Sequence, residues 1–405
     1  MSAAAPSRHP VARLGRRATV LGLTLSLFAC AESRLPAPPG TGADDVSVLG
    51  IPNARFWVDR SNDALLQEAF QAEARASGVA APGADTTANF LALSGGGDNG
   101  AFGAGLLCGW TETGQRPQFR LVTGISTGAW IAPFAFIGPS RDADLRAVYT
   151  DVSPDDIYRQ RSLFAALTSD ALTDSSPLYA LISHHLDERM MAEIAQEYGR
   201  GRLLFVGTTN IDLQRPVLWN IGAIATSGKP GALDLIRKIL LASAAIPGVF
   251  PPVLIDVQRQ GETYQEMHVD GGAVAQMFLY PATIRLADEA ARRNIHRDRV
   301  AYLIRNDRLD PEWADTNRQF LTIAQRAIAT MIHVSGANDV FRIYATTQRD
   351  NVAYRLAYIG ADFPAKQHQP FDRAYMNALF DYAYAKATNG YPWATRPPIF
   401  EAADD

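Results

Sequence analysis

Short apolar runs alternate with longer helix-patterned stretches from residue 88 onward, and glycines punctuate the joins. Phe90-Leu91-Ala92-Leu93 is a run of the length and character of a buried strand. It enters a glycine cluster, after which residues 101–113 read as a helix stopped by Gly114. Residues 119–123 form a second strand leading into Gly124, and residues 127–137 carry no charge, as suits a helix buried against a sheet. Further strands are expected at 202–207, 217–221, 253–256, 266–269 and 300–305, with a helix at 232–245 ending at Pro247. Strands alternating with helices predict an α/β fold: a parallel or mixed sheet covered on both faces.

The flanks differ. Residues 62–77 favour a helix, with Asn62 as N-cap and Gly78 as stop, and residues 82–87 read as a loop. Pro36-Ala37-Pro38-Pro39-Gly40-Thr41-Gly42 reads as a tether, since that composition builds no core. Beyond Pro311 the pattern predicts helices at 316–334 and 339–347, with tyrosines at Tyr344, Tyr354, Tyr358, Tyr375, Tyr382 and Tyr384. This part reads as a helical extension packed on the core, with a lid or acyl-binding wall as the functional alternative. The expected organisation is a signal segment over 1–30, tether and helix over 31–87, a catalytic domain over 88–287, and a last core strand with the helical extension over 288–405.

The N-terminus has the layout of an export signal. Arg8, Arg13, Arg16 and Arg17 precede an apolar run over 18–29, too short to span a bilayer stably. Leu27-Phe28-Ala29-Cys30 resembles a bacterial lipobox, which makes Cys30 a candidate for lipidation and membrane anchoring. Arg16-Arg17 also fits twin-arginine export. The only other cysteine is Cys108, so no disulfide framework is expected. A net charge of −4 gives the chain no overall basic field to draw nucleic acid.

Three short segments carry the candidate chemistry. Gly124-Ile125-Ser126-Thr127-Gly128 matches a nucleophile elbow, in which a sharp strand-to-helix turn presents the Ser126 hydroxyl at the positive end of the next helix. Gly95-Gly96-Gly97-Asp98-Asn99-Gly100 lies between a strand and a helix. Gly95, Gly97 and Gly100 also satisfy a dinucleotide fingerprint, but that fingerprint expects an acid at the end of the second strand, where the serine elbow stands instead. The glycine loop therefore reads as an oxyanion cradle of free backbone N–H groups. Asp270-Gly271-Gly272 places a carboxylate at a strand end, though in isolation such a tripeptide is a common turn.

Taken together, these segments are similar to those of the patatin-like phospholipase family, as is the stretch Ala242-Ser243-Ala244-Ala245-Ile246-Pro247-Gly248-Val249-Phe250-Pro251-Pro252 before the aspartate. The resemblance spans about residues 89–287. It implies a three-layer α/β/α fold and hydrolysis of phospholipid or other acyl-ester lipids by a Ser–Asp dyad. Ser126 would be the nucleophile, Asp270 the base, and Gly95, Gly96 and Gly97 the oxyanion loop, with no cofactor. One position departs from the family, which often has Arg or Lys just before the last glycine of that loop; here it is Asn99.

Two other readings stay open. A Ser–His–Asp triad would draw its histidine from His184, His185, His268, His296, His333 or His368, and the α/β-hydrolase order favours His296, His333 or His368. His268 shares a strand face with Asp270 but reads more readily as a surface residue. The second reading is a lipid-binding envelope lipoprotein without turnover, for which Asn99 speaks. His184-His185 has no further ligands at a recognisable spacing, so no metal site is expected.

Overall fold

A computed structural model describes residues 34–59, 63–77, 87–162 and 170–398. Cys30 and the export signal lie outside the described residues, as do Asn62, Gly78 and most of the 82–87 loop. The strands are β1 Arg55–Trp57, β2 Ala88–Leu93, β3 Phe119–Ile125, β4 Arg159–Gln160, β5 Thr173–Asp174, β6 Leu203–Asn210, β7 Arg215–Asn220, β8 Val253–Arg259, β9 Glu262–Asp270, β10 Arg299–Arg305 and β11 Ala353–Tyr358. β4 and β5 pair only with each other; the rest form one sheet in the order β1-β7-β6-β3-β2-β10-β11, with the β8–β9 hairpin attached through β9 to β6. The β6-β3-β2-β10-β11 run is parallel, and β7 and β1 continue it antiparallel.

The main helices are α1 Asp63–Ser77, α2 Gly100–Glu112, α3 Thr127–Ile137, α4 Asp142–Thr150, α5 Ser176–His185, α6 Glu188–Gly199, α7 Ala232–Ser243, α8 Phe320–Arg349 and α9 Arg373–Thr388. They cover both faces of the sheet. Successive strand residues point to opposite sides, so each central strand feeds two cores. Leu91, Leu93, Val122, Leu204, Val206 and Ile304 join the core beneath α2, α3, α7 and α9. Ala92, Ala301 and Leu303 pack with Val340 and Ile343 of α8, while Leu203 and Phe205 pack with Leu65 and Ala72 of α1.

Three features differ from the sequence expectation. First, the two helices expected at 316–334 and 339–347 are one, α8. The intervening Gly336 is not a breaker: it lies against the buried Arg305 guanidinium, where a Cβ would collide. Second, the tyrosines of the extension are divided. Tyr354 and Tyr358 belong to β11, an edge strand parallel to β10, and Tyr344 of α8 packs edge-on against Tyr354. Third, the stretch expected as a tether is held along the hairpin. Arg34 pairs with Asp212 at 2.5 Å, the Gln265 N–H donates to the Pro36 carbonyl at 3.1 Å, and Ser47 bridges Gln258.

The C-terminal α9 packs directly on α2, the helix that follows the glycine loop. Their backbones come close enough that a Cβ on Gly105 would strike the Phe380 carbonyl. A Gly105→Val substitution is expected to destabilise the fold by about 1–3 kcal/mol or more through overpacking; chemical denaturation, read as a lower midpoint at unchanged slope, checks this.

Candidate active site

β6 is longer than its parallel neighbour, and that mismatch builds the site. β3 pairs with β6 from Leu121–Leu203 up to Ile125–Gly207, then leaves the sheet. β6 continues through Thr208, Thr209 and Asn210. Its other edge is already taken by β7, so β9 fills the vacated edge, with Asp270 opposite Thr208. Ser126 follows Ile125 and Asp270 ends β9, so the register brings the two side by side. The Ser126 side chain is near enough to favour the ionised Asp270 carboxylate, whose Oδ1 accepts the Gly272 N–H at 2.7 Å.

Ser126 sits in a strained turn, at φ 55° and ψ −125°. L-residues rarely adopt such a positive φ, and strain of this kind persists only where surroundings over-determine it. Here the flanking chain is packed too closely for any Cβ: one on Gly124 would strike the Gly128 carbonyl, and one on Gly128 the Leu93 and Ser94 carbonyls. Ser243, at the end of α7, completes the clamp. Its hydroxyl accepts the Ser126 N–H at 2.9 Å and donates to the Gly207 carbonyl at 2.7 Å. The next residues of the family-like stretch hold the other partner, since the Asp270 N–H donates to the Ala245 carbonyl at 2.9 Å.

Asp270 is buried at 4% exposure. Desolvation pushes its pKa up to about 7, and the Gly272 N–H and the Ser126 side chain only partly oppose that rise. A carboxylate in this setting is a much better proton acceptor near neutral pH than an ordinary aspartate.

The glycine loop offers fewer free donors than expected. The Gly95 N–H donates to the Gln276 carbonyl at 2.9 Å and is not available to an oxyanion. The Gly96 and Gly97 N–H groups have no acceptor among the described residues. Gly97 has φ 58°, and a Cβ there would meet open space, so this backbone faces the cavity. Asn306, just past β10, holds the loop in shape. Its N–H donates to Ser94 Oγ at 2.8 Å, its Nδ2 to the Ser94 carbonyl at 2.9 Å, and its Oδ1 accepts the Gly103 N–H at 3.0 Å. The sequence pattern singles out neither Gln276 nor Asn306, and it presents Ser243 only as part of the family-like stretch. Polar residues at the ends of apolar elements were the signal, but nothing in the chain says which distant group each one meets.

Asp98 and Asn99 both face the C-terminal segment. Asp98 Oδ2 accepts from Gln367 Nε2 and from the Phe371 N–H at 2.8 Å, and burial raises its pKa. Asn99 Oδ1 accepts from the Tyr375 hydroxyl at 2.7 Å. The position that is often basic in the family is thus a docking point for α9. That segment also reaches the site: Phe371 and Met376 join Trp130, Val152, Leu178 and Phe250 in lining an apolar cavity that opens on Ser126 and Gly97.

No histidine among the described residues hydrogen-bonds Ser126 or Asp270. His268 is fully buried, not a surface residue. Its Nδ1 meets Thr208 Oγ1 at 3.0 Å, its Nε2 meets Glu266 at 3.2 Å, and its ring packs on Trp219. His333 lies 3.7 Å from Asp307, and His184 and His185 pack on each other. No cluster of potential metal ligands occurs among the described residues.

Residues 91–283 match the family model of the patatin-like phospholipases. The match identifies this segment as a patatin-like phospholipase domain, of a family whose general activity is lipid acyl hydrolysis. Among solved structures, that of VipD from Legionella pneumophila is similar at 12% identity and a TM-score of 0.34, over 76% of this chain and 67% of that one. No curated protein matches the sequence.

The Asp98 contacts carry a prediction. Asp98→Ala leaves the Phe371 N–H and Gln367 without their acceptor and is expected to cost about 1–3 kcal/mol. Hydrogen exchange checks it, with protection lost first in the 367–376 segment.

Proposed function

We propose that this chain is a serine acyl hydrolase that cleaves lipid carboxylic esters through a Ser126–Asp270 dyad. The observation that carries the reading is the register of β6, which sets Ser126 beside the buried Asp270 carboxylate, with the Gly97 backbone on the same cavity as Ser126. Asp270 takes the Ser126 proton as the oxygen attacks the ester carbonyl. The Gly96 and Gly97 N–H groups, with that of Thr127 at the start of α3, are placed to stabilise the oxyanion. The alcohol leaves with the proton. Water, deprotonated by Asp270, then releases the acid from Ser126. The acyl chain lies along the cavity walled by Trp130, Phe250, Phe371 and Met376. In the same reading the chain is exported and anchored through acylated Cys30, which the basic and apolar N-terminal pattern supports. Loss of labelled-palmitate incorporation in Cys30→Ala tests that part by itself.

Ser126→Ala and Asp270→Asn are each expected to lower kcat at least about a thousandfold against a panel of acyl esters and phospholipids, with the circular dichroism spectrum unchanged. Full activity in folded Ser126→Ala would overturn the mechanism.

The raised Asp270 pKa predicts the pH dependence. The base must be ionised, so kcat/KM should fall as pH drops through about 7. Stability should follow the opposite course. The folded state keeps a proton that the unfolded chain releases near 3.8, so the contribution of Asp270 worsens as pH rises from about 4 to 7. Asp270→Asn should therefore gain stability over the wild type at pH 8, by up to a few kcal/mol, and gain nothing at pH 4; thermal melts at the two pH values compare them.

A further inference from the structure

A second apolar cavity lies on the other face of the sheet, beneath α1. It holds about 150 Å³, a size that admits a small aromatic ring or a length of alkyl chain. Leu66 and Phe70 of α1 form one wall, Phe90 and Leu203 the sheet floor, and Phe278 and Ile295 the far side. Arg120, Arg297 and Arg299 also line it. These arginines stand at or before the N-terminal ends of β3 and β10, whereas Ser126 follows the C-terminal end of β3. Six residues of strand at ~3.3 Å each separate Arg120 from Ser126 by about 20 Å.

The charge there is unbalanced. Glu73 is the one carboxylate paired with these arginines among the described residues, at 2.7 Å from Arg297 and 3.4 Å from Arg120. Arg299 has a single hydrogen bond, to the Arg297 carbonyl at 3.4 Å. A fourth cation, Arg293, stacks on the Phe70 ring. Burial and the neighbouring Arg297 charge both pull Arg120 and Arg299 below the usual arginine range. An anion at this mouth would relieve that repulsion, and a guanidinium fork suits a carboxylate.

We infer that this partly open cavity is a binding site for a fatty acid, with the carboxylate on Arg299 and its neighbours and a part of the alkyl chain between α1 and the sheet. The inference goes beyond the proposed hydrolytic site and does not rest on it, because it concerns a different cavity and its test needs no turnover. The ligand class is a single-chain carboxylic acid, so the site would sense or store the kind of product that ester hydrolysis releases.

The test is equilibrium binding of parinaric acid, which fluoresces in apolar surroundings, to the full chain carrying Ser126→Ala, with oleyl alcohol and oleic acid as competitors. Arg299→Gln should weaken the acid on the order of tenfold, as loss of a charge-assisted hydrogen bond does, while oleyl alcohol changes much less. Ala69→Trp, placed on an exposed position at the cavity mouth, should remove binding of both. In otherwise wild-type protein, neither substitution should change ester hydrolysis. Absence of parinaric acid binding, or binding that survives Ala69→Trp in a protein of unchanged melting temperature, would overturn the inference. So would an Arg299→Gln effect equal for acid and alcohol. Loss of hydrolysis in every preparation with binding intact would instead count against the Ser126 mechanism alone.

Discussion

The site depends on one register: β6 outlasts β3, and β9 takes the edge that β3 leaves. Ser126 and Asp270 are 144 positions apart in the chain, yet Ser126 directly follows the last residue of β3 and Asp270 ends β9, and both strand ends are pinned to neighbouring positions of β6. A slip of one residue in β9 would turn Asp270 to the opposite face of the sheet, because side chains alternate. Much of the surrounding packing acts on that register. Ser243 ties the Ser126 N–H to the Gly207 carbonyl of β6, and Ala245 holds the Asp270 N–H, so one helix end secures both partners.

The same arrangement costs stability. Ser126 is held at a positive φ, and Asp270 is buried where its charge is poorly solvated. Both costs fall where the chemistry would use them: the strained turn exposes a hydroxyl, and burial raises the basicity of the carboxylate. The offset comes from two large cores and from α9, whose segment ties itself to Asp98 and Asn99 while walling the cavity beside Ser126. Two features of the glycine loop that look foreign to an oxyanion cradle, an acid and a missing cation, are thereby explained as docking groups.

Much of the architecture was legible because its elements are strongly patterned. The uncharged run ending in Ile137 could only be a buried helix, and the strand-glycine joins announced both loops. The C-terminal strand β11 was missed because its tyrosines were read with the helical ones around them, although Val352 to Ile359 is a short apolar run broken only by Arg355, as a covered strand can be. The helix runs on through 335–338, where Gly336 serves a close approach to the buried Arg305 guanidinium and not a stop. In the site, the candidate pair was visible from local turns. The occupation of the Gly95 N–H by Gln276, the burial of His268 against Glu266, and the clamps from Ser243 and Asn306 were not, because each depends on a tertiary contact that no local pattern encodes.

The central claim is that the Ser126 oxygen attacks a carbonyl held by the Gly96–Gly97 backbone while Asp270 receives its proton. A crystal structure of the protein after reaction with an alkyl fluorophosphonate tests it most directly. The account predicts phosphorus bonded to Ser126 Oγ, the phosphoryl oxygen within hydrogen-bond distance of the Gly96 and Gly97 N–H groups, and the alkyl chain against Phe250 and Met376. An adduct on another residue, or a phosphoryl oxygen turned away from that loop, would contradict it.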